Sequence, residues 1–361
     1  KGVIMNTLMK VLGFVTVVLV IILLLPTILH KKIPELNDTM LRERAISTNM
    51  LPIPKTYESL LEVIDNPDNP MSKEKIALGK ELFFDTILSQ DKTLNCASCH
   101  KLEAGGDDGI STAIGHQGQE NPSHLNSPTV LNAALAKSQF WDGRAKDVEE
   151  QAGGPIQAPF EMHMTPKEVE QRLNEDSKYV AKFKVLFPEE KITFENVRKA
   201  IGAYERTLLT RGAYDRFLEG DNDAMSLQAK RGMTLFLTQG CKGCHAGMSV
   251  GGQSMQKFPL RNYFADYVGL LYSPDITLKE SPFPFANVGG FLGKDEQLRF
   301  RVPILRNISK TAPYFHNGSV DKLEEAVRIM SKYQIGNEFT PEQIDDVVAF
   351  LKTLDGELVE Y

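Results

Sequence analysis

One short motif occurs twice in this chain and uses all four of its cysteines. It is Cys-x-x-Cys-His, at residues 96–100 and 241–245. Two thiols at this spacing can add to the two vinyl groups of one haem, and the histidine that follows is placed to ligate the iron. The sequence therefore predicts two covalent c-type haems. The predicted attachment and ligand residues are Cys96, Cys99 and His100 for the first haem, and Cys241, Cys244 and His245 for the second.

Paired cysteines also occur in structural zinc sites and in thioredoxin-like redox sites. A zinc site would have to join two pairs that lie much farther apart in sequence than the usual ribbon spacing. Neither alternative requires the histidine that directly follows each pair. Haem attachment is the favoured interpretation.

The size and charge of the chain limit the other functions that it could have. Its 361 residues, 42% hydrophobic and 24% charged, are enough for two ordinary domains with buried cores. The formal net charge of −6 argues against a nucleic-acid partner, because such proteins show a surplus of basic residues. An acidic surface would suit a basic redox partner.

Residues 11–29 form an uncharged run dominated by Val, Ile and Leu, long enough to cross a bilayer core. We expect residues 1–32 to be a transmembrane anchor. A cleaved secretory signal is the alternative, although no small-x-small cleavage pattern follows the run. Covalent c-type haem is assembled outside the cytoplasm, so the rest of the chain is expected to face the periplasm from the inner membrane. The corresponding alternative is a soluble periplasmic protein.

Residues 33–56 are polar, mixed in charge and contain three prolines, which predicts a tether. A similar five-residue segment, here called the repeated phrase, then precedes each haem motif. It reads Gly-Lys-Glu-Leu-Phe at residues 79–83 and Gly-Met-Thr-Leu-Phe at residues 232–236. A plausible helix N-cap stands before each phrase, Ser72 in one half and Ser226 in the other. This weak repeat predicts two similar halves.

Each half is also expected to close with an amphipathic helix. The apolar positions at helical spacing are Val197, Ile201, Tyr204 and Leu208 in the first half, and Val347, Phe350, Leu351 and Leu354 in the second. Thr340 can cap the second helix, with Pro341 at its first position. The predicted fold is therefore mostly α, with two cytochrome c-like haem domains in tandem at residues 57–215 and 216–361, preceded by the transmembrane helix.

The second axial position of each iron decides between electron transfer and catalysis. A methionine ligand raises the reduction potential, whereas an open face can bind peroxide. A dihaem enzyme needs one haem of each kind, while an electron-transfer protein needs two closed ones.

The segment at residues 126–164 is dense in distinctive motifs. They include Asn-Ser-Pro-Thr-Val-Leu-Asn from 126, Phe-Trp-Asp-Gly-Arg from 140, Glu-Gln-Ala-Gly-Gly-Pro-Ile from 150, and Glu-Met at 161. Further on come Arg-Val-Pro at 301, Leu-Arg-Asn at 305 and Thr-Ala-Pro-Tyr-Phe-His at 311. In these motifs the chain resembles the bacterial dihaem cytochrome c peroxidases, from about residue 70 to its end.

The resemblance implies a role for each matching residue. His100 would ligate the peroxidatic haem, while His245 and Met330 would ligate the high-potential haem. Trp141 would lie between the haems on the electron path. Glu161 would move a proton between the peroxide oxygens, and Gln151 would help hold the leaving oxygen. Without the resemblance, Met330 and Trp141 would be read as core residues and Glu161 as an exposed charge.

His116 matches the displaceable histidine that closes the peroxidatic iron in the oxidised state of many relatives, and His124 competes for this role. The family also implies a calcium ion between the domains. Its matching ligands are the Asn126 side chain and the backbone carbonyls of Thr311 and Pro313. His163 departs from the Glu-Met-Gly pattern that is common at this point, which affects the expected shape of the distal pocket.

The implied activity is reduction of hydrogen peroxide to water with electrons from a small cytochrome c or a cupredoxin, in a homodimer. Two alternatives stay open at this stage, an electron-transfer dihaem cytochrome and a related dihaem enzyme that oxidises a partner protein. Relatives of the latter kind carry a tyrosine where Met330 stands. Some membrane relatives with a third haem take electrons from quinol, but the sequence has no third motif.

Overall fold

The computed structural model describes residues 36–188, 191–260 and 287–361. The predicted anchor at residues 11–29 lies outside these ranges. Within them, no helix combines the length and the apolar character needed to cross a membrane.

The described part of the chain is mostly helical, which confirms the mostly α part of the predicted fold. The α-helices are α1 Asp38–Ile46, α2 Tyr57–Ile64, α3 Lys73–Phe84, α4 Cys96–Cys99, α5 Val148–Gln157, α6 Pro166–Glu175, α7 Ser177–Leu186, α8 Phe194–Glu205, α9 Ala213–Leu218, α10 Leu227–Thr238, α11 Leu323–Ile329 and α12 Pro341–Lys352. A π-helix, Met330–Ile335, continues α11. Short strands form two antiparallel pairs, β1 Thr210–Gly212 with β4 Gly356–Leu358, and β2 Met255–Lys257 with β3 Arg299–Arg301.

In the first half, α3 crosses the closing helix α8 at very short range. Ser72 caps α3 by accepting a hydrogen bond from the Lys75 amide at 3.2 Å, as predicted. At the crossing, a Cβ on Gly79 would lie 1.9 Å from the carbonyl oxygen of Ala200. Only glycine therefore permits this contact between the two helices.

The second half repeats the arrangement with α10 and α12. Ser226 caps α10, and Thr340 caps α12 in a capping box with Gln343. A Cβ on Gly232 would lie 1.8 Å from the carbonyl oxygen of Asp346. The glycine that opens each repeated phrase thus occupies the equivalent helix crossing, which confirms the internal repeat.

The two halves are joined by buried polar contacts beside the β1–β4 pair. Arg306 and Asp215 form a fully buried ion pair at 2.9 Å. Asp215 also accepts a hydrogen bond from the Ile53 amide at 2.8 Å. These contacts tie the second half, the end of the first half and the segment before α2 into one core.

The tether predicted for residues 33–56 is wrong for its described part. Residues 38–46 form α1, which packs on α10, and Leu41 and Ala45 are fully buried. Lys230 of α10 pairs with Asp38 at 3.0 Å. The polar residues of this segment occupy the outer face of a helix, so its average composition concealed an apolar side at i and i+4.

Candidate active site

The first Cys-x-x-Cys-His motif forms one helical turn, α4, that presents its histidine to a cavity. His100 Nδ1 lies 3.1 Å from the carbonyl oxygen of Gly106. A carbonyl can only accept, so Nδ1 carries the proton and Nε2 keeps its lone pair. This is the tautomer and the orientation that an iron-ligating histidine requires.

One cavity gathers most of the predicted site residues of the first half. The space between its protein atoms has a volume of about 1270 Å³, part of which is open to solvent. The predicted residues that border it are Cys96, Cys99, His100, Asn126, Trp141, Gln151 and Glu161. Two thiols and an imidazole therefore face the same space as a carboxylic acid and an amide.

Gln151 and Glu161 reach this cavity through one local unit. Gln151 lies on α5, and the chain after α5 folds back on the helix through a hydrogen bond from the Met164 amide to the Ile156 carbonyl at 2.8 Å. Burial raises the pKa of Glu161, while the nearby Arg144 opposes the rise. Because of the burial, Glu161 holds a proton more readily than an exposed glutamate does.

His116 is buried, but it is not among the residues that border the cavity, whereas Gly115 is. Its ring lies 4.9 Å, centre to centre, from the ring of His163, edge to face. Its Nδ1 lies 3.1 Å from a carboxylate oxygen of Asp91. In this structure His116 thus occupies a separate niche, and its role as an iron ligand stays a prediction.

Trp141 is buried, and hydrogen bonds hold it from two directions. Its indole N–H donates to the carbonyl oxygen of Asn126 at 2.9 Å, and its own carbonyl oxygen accepts from the Arg301 amide at 2.8 Å. The ring also contacts His316 at a centre-to-centre distance of 6.4 Å. Trp141 therefore connects the wall of the cavity with β3 of the second half.

The second motif places a buried imidazole in the other half. His245 follows the 3₁₀ turn Cys241–Gly243 and packs beside Phe236 of α10. Burial lowers the pKa of His245 to about 4, so the ring is neutral, as a metal ligand must be.

Met330 is half-buried and begins the π-helix. Ile335, at the other end of this π-helix, is the side chain closest to Gly240, at 3.6 Å from the position of a Cβ there. Gly240 directly precedes the second motif, so the π-helix lies against it. Single π-helical turns are frequent at functional sites.

Asn126 and Pro313 lie together, as the predicted calcium site requires. The Asn126 Nδ2 lies 2.6 Å from the carbonyl oxygen of Pro313, and the buried Oδ1 has no hydrogen-bond partner. Turning the amide would direct Oδ1 to the same side as the Pro313 oxygen. Asn126 and Pro313 then fit a hard cation, which prefers amide and carbonyl oxygens. Thr311 lies two residues before Pro313.

The cysteines do not fit the zinc alternative. A zinc site would have to combine the two cysteine pairs, but only Cys96 and Cys99 border the cavity, and Cys241 and Cys244 do not. Among the described residues, which include all four cysteines, no group of three or more His, Cys, Asp or Glu side chains could hold a metal ion. By contrast, a cavity with two thiols beside a correctly oriented histidine fits covalent haem.

Two residues of the cavity wall were not singled out from the sequence. Glu205, at the end of α8, is buried, and burial raises its pKa to about 8. Arg301, from β3, is also buried in the wall. In the sequence, Glu205 is one of several polar residues of the predicted closing helix, and Arg301 is part of a longer motif. Only their burial in the folded chain shows that Glu205 and Arg301 belong to the cavity wall.

Comparisons with known proteins agree with this geometry. Residues 73–223 match the family model described as di-haem cytochrome c peroxidase, and residues 229–355 match the cytochrome c model. The two matches include both Cys-x-x-Cys-His motifs and every residue that borders the cavity.

Similar proteins are found over most of the chain. The cytochrome c551 peroxidase of Pseudomonas aeruginosa is 41% identical over 308 residues, which cover 83% of this chain and 84% of the relative. The cytochrome c551 peroxidase of Nitrosomonas europaea is 40% identical over 294 residues, which cover 81% and 83%. The crystal structure of a MauG-like protein associated with microbial copper homeostasis has a TM-score of 0.68 at 28% identity, covering 82% of this chain and 94% of that one.

Proposed function

The chain belongs to the di-haem cytochrome c peroxidase family, and from this premise we propose how its residues carry out the reaction. It is a cytochrome c peroxidase with two cytochrome c-type haem domains. It reduces hydrogen peroxide with electrons from a redox protein. Two electrons and two protons convert each peroxide molecule into two water molecules.

A haem held by His100 would supply the iron that binds peroxide and passes electrons to its O–O bond. The protein must move a proton from the near oxygen to the far one. Glu161 borders the same cavity as His100, and its burial favours the protonated form. We assign it as the acid and base of this transfer. Gln151 donates a hydrogen bond to the leaving oxygen from the same wall.

Electrons enter through the domain that carries His245 and Met330 and pass Trp141 to the first domain. The support for this order is the position of Trp141, which is bonded to Asn126 on the cavity wall and to Arg301 of the second half. A methionine ligand on the entry haem would give it the higher potential.

The observation that carries the assignment of the catalytic residues is the shared cavity of Cys96, Cys99 and His100 with Gln151 and Glu161. The test is steady-state oxidation of a reduced small cytochrome by hydrogen peroxide, with Glu161→Gln compared with the parent. Loss of the proton carrier should lower kcat/KM by roughly 10²- to 10⁴-fold. Both haems and their spectra should be retained.

Glu150→Gln is the matched control, since Glu150 is an exposed glutamate on α5, the helix that carries Gln151. It should behave like the parent. Equal turnover of Glu161→Gln and the parent would overturn the role of Glu161. A parent that oxidises no donor after one-electron reduction would instead support an electron-transfer cytochrome.

We further propose that His116 closes the peroxidatic iron when the protein is fully oxidised, and that reduction of the other haem releases it. His116 lies outside the cavity in this structure while its neighbour Gly115 borders it, so a short movement of the loop would bring the ring to the cavity. Faster turnover in the half-reduced protein than in the oxidised protein would support this gate, and equal rates would refute it.

A calcium ion bound by Asn126, Thr311 and Pro313 is proposed on the basis of the unpartnered Asn126 oxygen beside the Pro313 carbonyl. Because Asn126 also holds the Trp141 indole, removal of calcium should slow electron transfer between the haems. Chelation should lower turnover and added Ca²⁺ should restore it, whereas Asn126→Ala should respond to neither. Unchanged turnover of the calcium-free parent would reject the site.

The remaining proposals concern location and partners. A small cytochrome c or a cupredoxin is the proposed donor, and a homodimer is the proposed assembly. The proposed location is the periplasmic side of the inner membrane, with residues 1–32 as the anchor, or the periplasm, as a soluble protein after cleavage. Fractionation of cells and sedimentation of the purified protein would test these points.

A further inference from the structure

Arg301 is a buried arginine, and one of its guanidinium nitrogens has no hydrogen-bond partner in the structure. Its Nε donates to the carbonyl oxygen of Phe140 at 3.2 Å, and its backbone amide donates to Trp141. Its Nη1 is buried and has no hydrogen-bond partner in the structure. Arg301 borders the same cavity as Cys96 and His100.

No carboxylate of the described residues forms an ion pair with Arg301, although many other arginines of this chain have such a partner. Burial lowers the pKa of Arg301 to about 10, so the guanidinium still carries its charge at neutral pH. The two acids of the cavity wall, Glu161 and Glu205, have a raised pKa, which favours their neutral form. A buried cation without a counter-charge is strongly unfavourable, so the cavity calls for an anion.

The ligand that this cavity fits brings such an anion, because each haem carries two propionate groups. A guanidinium matches a carboxylate with two parallel hydrogen bonds, and the unused nitrogen of Arg301 is available for one of them. We propose that Arg301 binds a propionate of the haem attached at Cys96 and Cys99. This inference rests on the proposed function only in requiring haem at that motif.

Arg301 is therefore a positioning residue that the second half of the chain contributes to the haem of the first. The Arg301 side chain would connect the propionate with the carbonyl oxygen of Phe140. The backbone amide of Arg301 holds the carbonyl oxygen of Trp141. The charge of Arg301 also favours the reduced form of the nearby haem, which has one positive charge less than the oxidised form.

The test is redox titration of the complete dihaem protein, with the potentials of the two haems followed separately. Arg301→Gln should lower the potential of the His100 haem and leave that of the His245 haem unchanged. Arg301→Lys retains the positive charge, so the potential of its His100 haem should lie close to that of the parent. Arg299→Gln, on the same strand but away from the cavity wall, is the matched control and should resemble the parent.

An unchanged His100 haem potential in Arg301→Gln with both haems attached would overturn the proposal. A change of potential confined to the His245 haem would also overturn it. So would an equal drop of the His100 haem potential in Arg301→Lys, because neither result fits a positive charge beside this propionate. If Arg301→Gln does not mature, resonance Raman spectra of the parent and Arg301→Lys decide instead. The propionate bending band should differ between them, and identical bands would reject the contact. Failure of the proposed function would give a different result: the parent protein would lack a haem or would not turn over peroxide.

Discussion

The backbone amide of His116 donates a hydrogen bond to the carbonyl oxygen of Glu161 at 2.8 Å. Beside this bond, Gly115 approaches the same backbone so closely that a Cβ there would lie 2.1 Å from the Phe160 carbonyl oxygen. The loop that carries the proposed gate is thus packed on the segment that carries the proposed catalytic acid. Movement of His116 to the iron and displacement of Glu161 would then be one event.

Gly115→Ala is expected to separate the loop from Glu161, because its Cβ has no room. A shift of the order of an ångström at a catalytic group can lower a rate by about 10²-fold, so we expect kcat/KM for peroxide to fall by roughly 10- to 100-fold. Steady-state kinetics measure the effect. Gly118→Ala has free space but a φ of +76°, so it reports backbone strain without the clash. If both variants lose the same activity, the contact with Glu161 is not the cause.

Asp91 and His163 hold His116 in its niche, and removing them should favour closure of the iron. His163→Gly removes the ring that packs on His116, and glycine suits the φ of +56° at this position, so the fold should not suffer. In the half-reduced protein, in which His116 is released in the parent, we expect His163→Gly to shift the His100 haem from a high-spin to a low-spin spectrum, and Asp91→Asn to shift it in the same direction. His116→Ala combined with His163→Gly should return the high-spin form. A spectrum that is unaffected by both single changes would contradict this prediction.

Met330→Leu should lower the potential of the His245 haem, because thioether ligation raises it. The absorption band of methionine-ligated ferric haem should disappear with it. Met164→Leu alters a buried methionine of the other half and is the control. A retained band in Met330→Leu would mean that another residue supplies the ligand.

Glu205→Gln should change how stability depends on pH. The pKa of Glu205 rises from an ordinary 4.5 to about 8 in the folded protein, so between these values the unfolded chain binds fewer protons than the folded one. The parent should therefore lose stability as the pH rises through this window, by at most about 1.4 kcal/mol per pH unit, and level off above pH 8. Glutamine cannot ionise, so denaturation of the variant should lack this slope. Parallel curves for the two proteins would show that Glu205 is not a buried neutral acid.

The sequence alone determined the features that depend on local spacing. The Cys-x-x-Cys-His motifs, the caps at Ser72, Ser226 and Thr340 and the repeated glycine phrase each involve a few neighbouring residues. Local stereochemistry limits what such a pattern can form, so the mostly helical fold and its two halves followed from it. The resemblance named Trp141, Gln151 and Glu161, and the structure placed all three on one cavity.

Only the tertiary structure decided which residues of distant segments meet. Arg301 borders the cavity because β3 lies against Phe140 and Trp141, and His116 contacts Asp91 and His163 because three loops converge. The sequence predicts a tether where residues 38–46 form α1, because the burial of Leu41 depends on α10, nearly two hundred residues later. Burial, charge compensation and close approach are properties of the folded chain as a whole, so no local pattern carries them.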